Sequence, residues 1–220
     1  MIGRPRVHLR RTDSTNERAR ELANAGAPHG TLVTAGEQTA GRGRQGRAWA
    51  MPPGGGVLMS LVLGEWSAAL PLAAAVATCE ALPLPARIKW PNDIWIGGRK
   101  VAGILVETRP QDEWAVLGIG VNVGARELTA GATSLGLEGV DVEAEEVLTD
   151  LLEALERWLR RPTADVLAAW RERDALVGSE VRWAEGRGTA TGVDETGALL
   201  VTTTTGQIAL HAGEVHLVGP

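Results

Sequence analysis

Gly36 to Trp49 reads GEQTAGRGRQGRAW, a stretch in which Arg42, Arg44 and Arg47 alternate with Gly41, Gly43 and Gly46. Glycine lets the backbone take positive φ and approach a ligand closely, while arginine carries a permanent charge on a planar fork that matches phosphate or carboxylate oxygens in pairs. The stretch is no Walker loop, since the Lys-Ser/Thr ending is missing, and a dinucleotide fingerprint would not hold arginines among its glycines. It reads either as a different anion cradle or as a solvated basic turn able to meet nucleic acid. Thr31 to Ala35 before it and Val57 to Leu63 after it are apolar runs of strand length, so the loop joins two strands of a sheet.

The whole chain bears on the choice. It has 220 residues and a net charge of -5, so the arginines form a local basic site on an acidic body, which favours a small anionic ligand over extended nucleic acid. This length holds one sizeable core with a small appendage. The single cysteine, Cys79, excludes an intrachain disulfide framework, and the four scattered histidines form no zinc-type cluster. No apolar run reaches the length of about 18 residues that spans a bilayer, and the N-terminus lacks a signal-peptide core. A cytoplasmic protein that meets no membrane is expected. Eight tryptophans stand beside no tyrosine and no phenylalanine.

Outward from the loop, Val7 to Leu9 reads as a strand. Ser14 and Glu17 have the spacing of a capping box for a helix whose inner face is Ala19, Leu22 and Ala23 and which Gly26 ends. Plain capping would therefore account for Ser14 and Thr15. Pro71 suits the first turn of an alanine-rich helix from Leu72 to Leu82, apolar on most faces and hence buried, with Cys79 as a small core residue. Lys89-Trp90-Pro91-Asn92-Asp93 lies between a short strand and Ile94-Trp95-Ile96. Gly97-Gly98 then turns a hairpin into Val101 to Thr108, an apolar run interrupted by Gly103 and Glu107 and preceded by Lys100. Lys100 could simply snorkel outward. Trp114 to Val123 is another strand, in which Gly118, Gly120 and Asn122 leave room for a ligand or a crossing backbone.

Glu143 to Arg161 keeps helical spacing from Val147 to Leu159, with acids first and arginines last. Pro162 stops it, and Thr163 is expected to cap a further helix to about Asp174. The long helix and the sheet would give this first part a core of its own. After Gly178 five short alternating segments follow, from Val181 to Val218, as in a small barrel.

In order, Asp13-Ser14-Thr15-Asn16, Glu37 to Trp49, Lys89 to Asp93, Lys100-Val101-Ala102-Gly103-Ile104-Leu105-Val106-Glu107 and Gly118 to Val123 resemble the biotin protein ligases. The resemblance runs from about Val7 to the C-terminus. It implies an α+β fold: a mixed-sheet catalytic domain over residues 1–174, related to class II aminoacyl-tRNA synthetases, followed by an SH3-like β-barrel over residues 175–220. Some members carry an N-terminal winged helix-turn-helix. Only Met1 to Thr12 precede the first motif here, so the monofunctional form is expected, without DNA binding. After Gly54-Gly55 the family often shows an aromatic, where this chain has Gly56, Val57 and Met59.

The implied reaction joins biotin and ATP, with Mg²⁺, into biotinyl-5′-AMP, then passes biotin to a lysine of the carboxyl carrier of acetyl-CoA carboxylase or a related carboxylase. By resemblance Ser14, Thr15, Asn16 and Gln38 hold biotin, with Gly41, Arg42, Gly43 and Arg44 closing over it. Lys100 meets the carboxylate and Gly103 gives clearance. Lys89, Asp93, Lys100 and Arg42 are the expected catalytic residues. Arg44, Arg47, Trp49, Asn92 and Asn122 are assigned to the nucleotide, and no metal ligand is assigned. The rival readings are a lipoate or octanoate ligase on the same fold and a non-catalytic module that binds anions or nucleic acid.

Overall fold

The computed structural model describes residues 2–108 and 113–218. Seven strands make a mixed sheet: β1 (Arg6–Leu9), β2 (Leu32–Ala35), β3 (Gly56–Leu63), β4 (Arg87–Lys89), β5 (Asp93–Ile96), β6 (Arg99–Thr108) and β7 (Ala115–Asn122). Their order is β1-β2-β3-β7-β6-β5-β4; β1 and β2 run parallel, and every other pairing is antiparallel. The Gly97-Gly98 hairpin forms as expected, with φ of 56° and 77°, values that a type I′ turn requires and that glycine tolerates.

Alternation along the central strands assigns the two faces. On β3, Val57, Met59, Leu61 and Leu63 point into the main core, as do Ala115, Leu117, Ile119 and Val121 on β7. That face is covered by α2 (Leu70–Ala81), α3 (Ala144–Trp158) and α4 (Thr163–Glu172). Helix α2 is buried almost all round, as its composition predicts, and Pro71 lies in its first turn. Burial pushes the Cys79 thiol up to about 12, which fits an inert core residue. The opposite face carries α1 (Thr15–Asn24), whose Ala19 and Ala23 pack on Val33, Val62 and Val116. Beyond the end of α1 this second face is left to Leu58, Ser60, Gly118, Gly120 and Gly103, and there the sheet opens into a pocket.

Two capping expectations are corrected. Ser14 is the N-cap of α1, but its side chain makes no capping bond. The Thr15 N–H is taken instead by Gln38 Oε1 at 2.7 Å, and Glu17 turns outward to Arg20 and Arg42, so no capping box closes. Thr163 is the first residue of α4, and Pro162 holds the cap position.

A second, five-stranded antiparallel sheet follows: β8 (Glu180–Trp183), β9 (Gly186–Val193), β10 (Leu199–Thr203), β11 (Gly206–Leu210) and β12 (His216–Leu217), in the order β11-β10-β9-β8-β12. The two sheets do not have separate cores. Val181, Val193, Leu199, Val201 and Val215 belong to the same buried cluster as the helices and the first sheet. Trp90 Nε1 donates to the Gly197 carbonyl at 3.0 Å, and Arg171 donates to the Val193 carbonyl at 2.9 Å. The chain leaving α4 also covers edge strand β4, where Ala175 N–H bonds to the Ile88 carbonyl at 2.9 Å.

Candidate active site

The pocket has a volume of about 310 Å³ and lies where α1, the arginine loop, the β4–β5 turn and the end of the second sheet meet. Ser14, Thr15 and Asn16 form one wall, all 5% exposed or less. Their placement follows from the start of α1, which points its first turn at the sheet. Gln38 reaches across from the chain after β2, its Oε1 within 3.0 Å of Thr15 Oγ1.

The arginine loop is folded on itself as a small hairpin. Gly43 N–H donates to the Arg47 carbonyl at 2.7 Å and Trp49 N–H to the Gly41 carbonyl at 2.9 Å. Its tip needs two successive positive φ values, 55° at Gln45 and 75° at Gly46. Gly41 itself does not line the pocket; a Cβ there would lie 2.4 Å from the Trp49 carbonyl oxygen, so this glycine serves the loop's closure. Arg42 reaches Glu17 of α1 at 3.0 Å, and Arg47 pairs with Glu214 from the chain before β12.

The clearance over Gly118 and Gly120 is filled by the protein's own side chains. A Cβ at 120 would meet the Trp49 indole at 2.5 Å, and one at 118 would meet the Asn16 amide oxygen at 2.0 Å. Trp49 thus forms part of the pocket floor, and its Nε1 is buried with no hydrogen-bond partner among the described residues. Lys100 turns inward: Nζ is 2.5 Å from Asp93 Oδ1 and 5.5 Å from the Trp49 ring centroid. An irregularity of register between Ile94 and Trp95 sets the β5–β6 ladder that carries this pair.

Lys89 stands on the same side, over the Trp95 ring at 5.5 Å. Burial lowers its pKa, Asp93 works to raise it, and Lys100 and Arg47 lower it further. Burial likewise lowers Arg44, against the pull of Asp93. A group of cations thus crowds around one carboxylate, an arrangement that an anionic ligand would relieve. Asn92 and Asn122 line the pocket, yet both amide nitrogens are committed to backbone, to the Ile104 carbonyl at 2.8 Å and the Thr133 carbonyl at 2.9 Å. Asn122 Oδ1 is buried and unpartnered among the described residues, and so open to a donor.

Every residue assigned from the sequence except Gly41 lines this one pocket. Sequence reading missed Leu58, Leu128, Thr129, Gly213, Glu214 and Val215 on the wall, and Ser60 and Glu107 behind it. For Glu214 no local signal exists, because only the packing of the second sheet brings it to Arg47. Among the described residues no group of three or more His, Cys, Asp or Glu could hold a metal ion, and Asp93 is engaged by Lys100.

The Biotin/lipoate A/B protein ligase family matches residues 8–123, and the Biotin protein ligase C terminal domain matches residues 178–218. The chain is 40% identical to a biotin--[acetyl-CoA-carboxylase] ligase of Paracoccus denitrificans, covering 96% of this chain and 100% of the relative. It is 35% identical to the bifunctional ligase/repressor BirA of Bacillus subtilis, over 93% of this chain and 71% of that protein. Its structure is similar to biotin protein ligase from Aquifex aeolicus in complex with biotin and ATP, with a TM-score of 0.83, 32% identity and coverage of 97% and 98% of the two chains. The chain belongs to the biotin protein ligase family.

Proposed function

We propose that this chain is an ATP-dependent biotin--[acetyl-CoA-carboxylase] ligase, which makes biotinyl-5′-AMP and transfers biotin to a lysine of the carboxylase's carrier domain. The observation that carries the reading is the meeting, in one pocket, of a polar wall, an arginine-glycine loop and an inward-facing Lys100. Ser14, Thr15, Asn16 and Gln38 take the ureido ring and Lys100 the carboxylate. Trp49, which the sequence reading gave to the nucleotide, lies over Gly103 and Gly120 and is here assigned with Gly103 to biotin's apolar body. ATP lies toward Arg44, Arg47, Lys89 and Asn122, with Mg²⁺ on its phosphates. Asn92 acts by holding the turn before β5.

The biotin carboxylate is already ionised at neutral pH, so the first step needs no base; its oxygen attacks the α-phosphorus and pyrophosphate leaves with the bonding electrons. What the site supplies is approach of two anions and charge for the leaving group. Lys100 neutralises the attacking carboxylate, while Arg44, Arg47 and Lys89 face the phosphates. The product is a mixed anhydride, and Arg42 and Arg44 on the folded loop keep water from it. In the second step the uncharged carrier amine attacks the biotinyl carbonyl, AMP departs with the electrons of the C–O bond, and the surplus amine proton passes to solvent. Asp93, held by Lys100 at the same place, orients that amine.

Residues 1–174 form the catalytic part and residues 175–220 the appended one, which closes the nucleotide side through Glu214. The net charge of -5 supports a partner other than DNA, and a single buried Cys79 suits the reducing cytoplasm. Among the described residues no helix is long and apolar enough to cross a membrane. The test is a gel assay for ATP-dependent transfer of biotin to a carrier domain, with pyrophosphate exchange measured for biotin, lipoate and octanoate. Exchange with biotin supports the reading; exchange with lipoate or octanoate alone overturns it in favour of the rival ligase.

A further inference from the structure

From the polar wall a row of hydrogen-bonded side chains runs back to Ser60 and Glu107, two residues to which the reading above gives no ligand contact. Asn16 Nδ2 donates to Glu107 Oε2 at 2.7 Å. Asn16 Oδ1 is 2.6 Å from Ser60 Oγ, Ser60 Oγ is 2.8 Å from Thr15 Oγ1, and Thr15 Oγ1 is 3.0 Å from Gln38 Oε1. Ser60 is fully buried, and Asn16 occupies the space over Gly118 that a Cβ would fill, so both side chains sit inside the fold, where the Asn16 amide can exchange its oxygen and nitrogen only in place.

The Gln38 amide oxygen already accepts the Thr15 N–H at 2.7 Å, which fixes that end as an acceptor. A carboxylate only accepts, so Glu107 must face the Asn16 NH₂ group, and the Asn16 oxygen is thereby turned to Ser60. The row Asn16, Ser60, Thr15, Gln38 then has an acceptor-only atom at each end and two hydroxyls between. Its three oxygen-oxygen contacts share only the two hydroxyl protons, so one contact holds none. With the Asn16 amide turned the other way, its NH₂ would supply the third proton and the row would be complete. Glu107 prevents that.

With the Ser60 proton on its shorter contact, to Asn16 Oδ1, and the Thr15 proton on Gln38, Thr15 Oγ1 receives no hydrogen from the row. We propose that Glu107 is a positioning residue that keeps this wall one hydrogen short, so that Thr15 Oγ1 awaits an N–H donor from the ligand. Biotin's ureido ring carries such N–H groups, and the inference rests on the biotin reading above. A buried acceptor left without a donor costs free energy in the empty protein, and a ligand bringing the donor recovers it.

Glu107→Gln separates this from a structural role. Glutamine can donate to a turned Asn16 amide, which completes the row, lets Ser60 donate to Thr15 and leaves the ligand only the second lone pair of that oxygen. The expected result is biotin affinity weakened by about tenfold in calorimetry, the scale of one hydrogen bond to a buried group. The KM for ATP should be unchanged and the Tm equal to or above that of the unaltered chain. Ser60→Ala removes the one hydroxyl of the row that could give Thr15 a hydrogen, so it should not reproduce this loss. In Glu107→Gln/Ser60→Ala the loss seen in Glu107→Gln should therefore disappear. Wild-type biotin affinity in Glu107→Gln, a lowered Tm, failure of that variant to fold, or the full loss persisting in the double variant would each overturn the proposal. An unaltered chain that does not bind biotin would overturn the functional reading along with it.

Discussion

A lysine at the start of a strand can extend its ammonium into solvent or turn it inward, and Lys100 turns inward to Asp93 and the Trp49 face. That choice makes it the residue best placed to meet a carboxylate. Lys100→Ala should lower biotin affinity and pyrophosphate release by about 1.5–3 kcal/mol, the range for a charge-assisted hydrogen bond, with Asp93 left unpaired. Lys100→Arg should recover only part, because Trp49 and Gly103 confine the space and a planar fork does not replace a compact ammonium. Calorimetry and a thermal melt would check both. Lys89 gives a prediction of opposite sign for stability. Its pKa is lowered mainly by burial, so the folded state holds this proton less tightly than the unfolded chain, and the charged form costs stability at any pH below the folded value. The cost fades as pH rises through the folded pKa toward the unfolded value near 10.5. Lys89→Met should therefore raise the Tm at neutral pH by about 2 °C. The gain should vanish in strong alkali, while pyrophosphate release falls at neutral pH.

At the level of elements, the arginine loop is held in two ways: by its own backbone hairpin and by the Arg42 contact to Glu17 of α1. The side chain of Arg42 is 47% exposed, so the pair contributes little to global stability, on the order of 0.5 kcal/mol. Arg42→Ala should leave the melt unchanged while letting biotinyl-AMP escape. The readout is biotinylation of bystander lysines in the medium, and retention equal to the unaltered chain would show that the loop does not seal the site. The elements that surround this site were readable from spacing and turn chemistry: the Gly97-Gly98 hairpin, the buried α2 behind Pro71 and the amphipathic α3 all form where expected. What local pattern did not reveal was tertiary substitution. Ser14 and Glu17 have capping-box spacing, but Gln38 supplies the cap from a distant segment. Gly118 and Gly120 signalled open space, yet Asn16 and Trp49 fill it. In both cases a side chain remote in sequence satisfies the group that the local pattern left free.

For the whole molecule, the continuity of the core decides how the two sheets depend on each other. Sequence pattern marked the change at Gly178, where φ is 80°, but could not show that the later strands bury Val181, Val193, Leu199, Val201 and Val215 in the main cluster. Each buried aliphatic side chain contributes about 1.5–3 kcal/mol, so together they rival the net stability of a domain, about 5–15 kcal/mol. A chain cut after Asp174 should therefore lose cooperative unfolding and aggregate, as seen by size-exclusion chromatography and circular dichroism; a monomeric product with a sharp melt would show that the first sheet stands alone. Glu214 adds a functional dependence, since it reaches the pocket only from the second sheet. The pocket as a site of biotin activation is tested most directly by biotin-dependent pyrophosphate release from ATP, measured with the unaltered chain and with Lys100→Ala. Release that requires biotin, is not supported by lipoate, and falls by about tenfold or more without the Lys100 ammonium is the predicted result. Release that is independent of biotin, or undiminished in Lys100→Ala, would contradict it.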